Sequence, residues 1–119
     1  MNKFKDLKVW QRAMGLSTEV YKCVALFPNT EKYGLVSQLT RCSVSIPSNI
    51  SEGAGRNSEK EFAHFLSIAL GSAFELETQL IIATRLSFLN EEKSNTLLTE
   101  LDQVQKMING LRRSLLNKL

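Results

Sequence analysis

Apolar residues recur along this chain three and four positions apart in four successive stretches, the period of helices that bury one side. The first helix is predicted from about Leu7 to Leu26, with the Asp6 carboxylate as its N-cap. It carries two adjacent apolar stripes: Leu7, Trp10, Met14, Tyr21 and Val24 on one, Val9, Ala13, Leu16, Val20 and Phe27 on the other. Phe27-Pro28-Asn29 ends it. The second helix starts between Thr30 and Tyr33 and reaches about Ala54, on a seam of Leu35, Leu39, Cys42, Ile46 and Ile50. Pro47 conflicts with that seam: its ring removes one N–H donor and crowds the preceding turn, a cost of about 3 kcal/mol in a regular helix. A kinked helix resolves the conflict, with Ser43, Ser45 and Ser48 at hand for the freed backbone groups. Gly53 and Gly55 then let the chain turn.

The third helix opens on a capping box, Ser58 with Glu61, and ends near Phe88 or Leu89. Phe62, Phe65, Leu66, Ala69, Ala73, Leu76, Leu80 and Ala83 form its core face, and Leu70, Phe74, Ile81 and Phe88 add a second stripe. Asn90 caps the fourth helix, whose first turn holds Glu91 and Glu92 at the positive end of the helix dipole. Its seam is Leu97, Leu101, Val104, Ile108, Leu111 and Leu115, spaced as in a coiled coil. Helices of this length joined by short loops predict one all-α domain over residues 1–119, an antiparallel up-down-up-down four-helix bundle. The first and third helices are apolar around half their circumference, wider than one core needs. Contiguous exposed apolar area marks an interface, so the pattern predicts a homo-oligomer. An irregular bundle that buries both stripes by itself is the alternative.

Charge is uneven. Residues 1–56 carry eight Lys and Arg against four Asp and Glu, and residues 57–119 carry seven against eight, for a total of +3. That total is too small to demand a nucleic-acid partner, although a cluster can still supply one. The opening residues lack the apolar run of a secretory signal, and charges interrupt the long apolar stretches. The expectation is a cytoplasmic protein with no membrane-spanning helix. Cys23 and Cys42 sit in helical patterns as small buried thiols.

Little in the chain points to catalysis. No phosphate-cradling glycine loop follows a strand. His64 is the only histidine, and Glu61-Phe62-Ala63-His64 is a single Glu-x-x-His string where a di-iron site needs two. Glu75 and Glu77 are two positions apart on a helix and point in different directions. No catalytic residue, cofactor or metal site is therefore expected. Glu77 falls between apolar stripes and needs a partner, for which Arg41 is the candidate. Arg41, Ser45, Asn49, Glu52 and Arg56 form a polar stripe along the second helix, with Glu52 and Arg56 spaced for an ion pair. This stripe faces a neighbouring subunit, an RNA backbone or solvent. Lys3, Lys5, Lys8 and Arg12 make one basic patch, and Lys106, Arg112, Arg113 and Lys118 a second. An antiparallel bundle places both at one end. Phosphate contacts there would give salt-sensitive binding with little sequence preference.

Several of these segments together resemble a known family. They are Phe4-x-Asp6-Leu7-x-Val9-Trp10-x-x-Ala13, Tyr21, Phe27-Pro28-x-x-Glu31-x-Tyr33-Gly34-Leu35 and Gln38-Leu39-x-Arg41. Ser45-Ile46-Pro47-x-Asn49-Ile50-x-Glu52-Gly53-x-Gly55-Arg56 follows. Glu61-Phe62-x-x-Phe65-Leu66-x-Ile68-Ala69-x-Gly71-Ser72 and Glu75-x-Glu77-x-Gln79-Leu80 complete the match. The chain resembles the four-helix-bundle proteins encoded in intervening sequences of bacterial 23S ribosomal RNA. The first three helices carry the likeness; the fourth matches in seam and length only. The resemblance implies a barrel-like homopentamer without enzymatic activity. Accessory proteins of diversity-generating retroelements resemble the same family and act with a reverse transcriptase. The functional expectation is an oligomer that binds structured RNA through its basic patches. The alternative is a protein–protein scaffold or accessory subunit.

Overall fold

The computed structural model describes residues 3–119 as α1 (Lys8–Val24), α2 (Leu35–Ala54), α3 (Glu59–Arg85) and α4 (Glu91–Leu116). Short 3-10 turns at Phe4–Asp6 and Asn29–Glu31 precede α1 and α2, and no strand occurs among the described residues. Each helix packs on two others, α1 on α2 and α4, and α3 on α2 and α4. The four enclose one core within an envelope of 46 × 22 × 20 Å. The predicted seams are its lining: Leu39, Cys42, Ile46 and Ile50 from α2, Leu66, Ala69, Ala73, Leu76 and Leu80 from α3, and Leu97, Leu101, Val104 and Ile108 from α4. From α1 the second stripe, Val9, Ala13, Leu16 and Val20, is buried together with Val24 of the first, while Met14 and Tyr21 of the first stay exposed.

The helix ends differ from expectation at several points. Leu7, not Asp6, holds the N-cap position of α1, and no side chain caps it. Asp6 lies instead in the preceding 3-10 turn, which Gln11 Nε2 ties down by donating to the Lys5 carbonyl at 2.8 Å. The Phe4 ring packs edge-on against Trp10. At α3 the Ser58 hydroxyl accepts from the Glu61 amide at 3.1 Å. The Glu61 carboxylate accepts from that same hydroxyl rather than from a backbone amide, so the box is closed side chain to side chain. Asn90 Oδ1 accepts from the Lys93 amide at 2.7 Å, as expected of a cap. The C-terminus of α3 comes earlier than predicted. Ser87 has φ 63°, and the Phe88 and Ser87 amides donate to the carbonyls of Ala83 and Thr84. That is a Schellman closure with serine where glycine is usual. It turns Phe88 back onto Phe27, ring centroids 5.7 Å apart.

α2 runs through Pro47 without interruption. The proline deprives the Ser43 carbonyl of its helical donor, and the replacement comes from another helix: Ser17 of α1 donates to Ser43 O at 2.7 Å in a buried site. Two of the three serines expected to do this work bond elsewhere. Ser43 donates to Thr40 O, and Ser45 shares a hydrogen bond with Ser72 of α3. The glycines also play another part. Gly55 has a right-handed φ of −84°. Gly53 is inside the helix, where a Cβ would lie 2.7 Å from Phe65 Cβ. Its missing side chain lets α3 approach, and the turn does not depend on it.

The charges in α3 do not interrupt its apolar character as expected. By length and composition this helix could cross a bilayer, and only a third of that stretch is buried. It lies between α2 and α4, with much apolar surface left outside.

Candidate functional site

The eight cations of the two basic patches divide into two groups. Arg12 forms a bidentate pair with Glu100 of α4, both N–O distances 2.8 Å, and its Nη1 lies 3.8 Å from Met107 Sδ. These contacts lay the first half of α1 across the middle of α4. Arg12 holds the Glu100 carboxyl below its ordinary value chiefly through the side-chain hydrogen bond, with burial opposing. Lys106 pairs with Asp102 at 3.0 Å, and Lys118 with Glu59 of α3 at 3.7 Å. Arg112 is half-buried: Nη2 donates to Asn109 Oδ1, and Nε is buried without a partner. Lys3, Lys5, Lys8 and Arg113 are exposed, and no carboxylate lies within ion-pair distance of any of them among the described residues. Asp102 stands four residues from Lys106 on one helix, whereas the acids beside Arg12 and Lys118 come from other helices and only tertiary packing brings them there.

The polar stripe of α2 is similarly divided. Glu52 and Arg56 pair at 3.0 Å, as their spacing predicted, and the Arg56 guanidinium stacks over Phe65. Asn49 is half-buried and turns back on its own helix, donating to Ser45 O and Oγ. Arg41 is exposed and does not reach Glu77; its one polar contact is the Ser37 hydroxyl at 3.2 Å. The partner of Glu77 is Gln105 of α4, whose Nε2 donates to Glu77 Oε1 at 2.8 Å. Glu77 lies on the side of α3 turned to α4, out of reach of an arginine on α2.

Between α2 and α3 lies an open cleft of about 530 Å³ lined by Arg41, Ser45, Ser72, Glu75 and Gln79 among others. Beneath it the Cys42 thiol donates to Ser72 O at 3.0 Å. Burial, and secondarily Glu75, pushes this thiol up to about 11. Cys23 is also raised, mainly by burial. Neither thiol is poised as a nucleophile. His64 is an exposed residue whose ring meets Phe65 edge-on. Among the described residues no three His, Cys, Asp or Glu side chains come together as a metal-ligand set.

These features define a small all-α protein whose surface chemistry lies in unpaired charge and exposed apolar residues. The chain belongs to the 23S rRNA-intervening sequence protein family, whose model matches residues 5–110. Its fold is shared by a crystal structure from Bacteroides thetaiotaomicron, a protein with unknown function from the S23 ribosomal protein family. The two superpose with a TM-score of 0.79 at 21% identity, covering 87% of this chain and 97% of the other. No functionally curated protein matches the chain.

Proposed function

We propose that this chain is a non-enzymatic, self-associating protein that binds structured RNA through the cations where α1 begins and α4 ends. In this reading the four helices run up-down-up-down. Cross-helix bonds support that order: Glu77 meets Gln105 while Thr84 meets Ser94, so position along α3 rises as position along α4 falls. Cys42 meets Ser72 while Gln38 meets Gln79, the same relation between α2 and α3. The observation that carries the RNA reading is the set Lys3, Lys5, Lys8 and Arg113, four exposed cations left without acidic partners among the described residues. The family is named for an intervening sequence of 23S ribosomal RNA, which makes that RNA the first one to test. A net charge of +3 per chain is modest. The homopentamer implied by the family resemblance would repeat the set around a ring and raise the field without raising the charge per chain.

Filter binding of a 23S-derived hairpin RNA at increasing salt tests this. Affinity should fall steeply with salt, and replacing Lys5, Lys8 and Arg113 by Gln should lower the log–log slope by about one per cation removed. An unchanged slope in the triple variant, or no binding at low salt, rules the site out. A second reading, a scaffold or an accessory subunit such as that of a reverse transcriptase, is favoured by the exposed Phe74 of α3. It requires a protein to co-purify in place of RNA.

A further inference from the structure

The outer face of α3 carries a second seam that the core does not use. Ile68, Glu75 and Ile82 follow one another at intervals of seven, with Gln79 and Leu86 four residues beyond Glu75 and Ile82, the spacing of a coiled-coil stripe. Its apolar members are 40% (Ile68), 44% (Ile82) and 55% (Leu86) exposed. Glu75 lies at the centre of this face. Among the described residues it is the one carboxylate in the interior of a helix that makes no hydrogen bond or ion pair. The other unmatched charge nearby is Arg41, which lines the same cleft yet forms no ion pair with Glu75. Arg41 stands on the α2 ridge one turn before Val44. Beyond Val44, the groove between α1 and α2 exposes Met14 and Tyr21. The molecule thus has two separate uncovered apolar surfaces, one centred on an anion and the other flanked by a cation.

We propose that copies of this chain join head to tail, the outer α3 seam of one copy lying on the α2 ridge of the next, with Glu75 of one paired to Arg41 of its neighbour. The proposal rests on the self-association in the reading above and names the faces that make it. Seam against seam would set Glu75 against its own copy in the middle of the contact, where like charges repel, whereas the α2 ridge offers Arg41 as the opposite charge. Two different faces make a heterologous contact, which closes into a ring when the rotation per copy permits. A bilayer is a poorer occupant, because the unpaired Glu75 would enter the apolar phase at the centre of the face.

Light scattering and sedimentation of the full chain supply the test. The wild-type protein should be a closed oligomer at micromolar concentration. Glu75→Arg or Arg41→Glu should each weaken assembly on the order of 100-fold, and the double variant should restore it. Circular dichroism should show every variant helical, since both residues are exposed. Ile82→Lys is a second variant with the same expected loss. A wild-type monomer, or one that sediments with lipid vesicles, overturns both this proposal and the self-association on which it rests. An oligomer that survives Glu75→Arg and Ile82→Lys overturns these faces alone. Two dissociating charge variants that fail to rescue each other overturn the pairing. RNA binding by a dissociated variant leaves the cationic site standing.

Discussion

Ser17 is the residue on which the path of α2 most depends. A helix with an internal proline leaves one carbonyl without its donor, and here that carbonyl is buried. Removing the donor should cost about 1–3 kcal/mol, the desolvation penalty of an orphaned acceptor. Chemical denaturation of Ser17→Ala should show that loss. Pro47→Ala returns an N–H to the helix, so Ser17→Ala should cost much less in that background. Equal costs in both backgrounds would mean that the hydroxyl does not stand in for the missing amide. Gly53 illustrates a related point. Its conformation is ordinary, and its role comes from Phe62 and Phe65 on the facing helix.

At the scale of elements, helix ends are set locally while helix faces are set by neighbours. Asn90 and Ser58 cap as their spacing predicts, because each cap involves residues only three apart. The α3 terminus shows where such reasoning misses. The apolar pattern continues to Leu89, but Ser87 adopts a left-handed conformation and the helix closes at Arg85. No glycine or asparagine marks the spot. Replacing Ser87 by glycine removes the Cβ penalty and should raise stability by about 0.5–1 kcal/mol, less whatever flexibility the unfolded chain gains. Thermal unfolding measures it directly. A lower melting temperature would mean that the Ser87 side chain contributes more than its backbone strain costs.

The most sequence-distant ion pair of the described residues, Arg12 with Glu100, ties the first helix to the last. The folded carboxyl of Glu100 lies below its ordinary value of 4.5. The pair's contribution is therefore present above that value and is lost as pH falls through the lower, folded one. Both side chains are more than a third exposed, so the effect is modest and screened by salt. Stability should decline as the solution is acidified below about pH 4.5, and Glu100→Gln should remove part of that decline while leaving the neutral-pH fold intact. An identical acid limb in the variant would assign the decline to other carboxylates.

Much of this protein was determined by its sequence alone: four helices, two of their caps, the Glu52–Arg56 pair and nearly all of the core, because each depends on residues a turn or two apart. The pairing of Glu77 with Gln105, the neutralisation of Arg12 and Lys118, and the donor supplied to Ser43 were decided only in three dimensions. The same holds for which apolar stripe stays outside. Periodicity fixes the faces of a helix, whereas the rotation of one helix against another settles which face meets which, and that rotation follows from the packing of all four together.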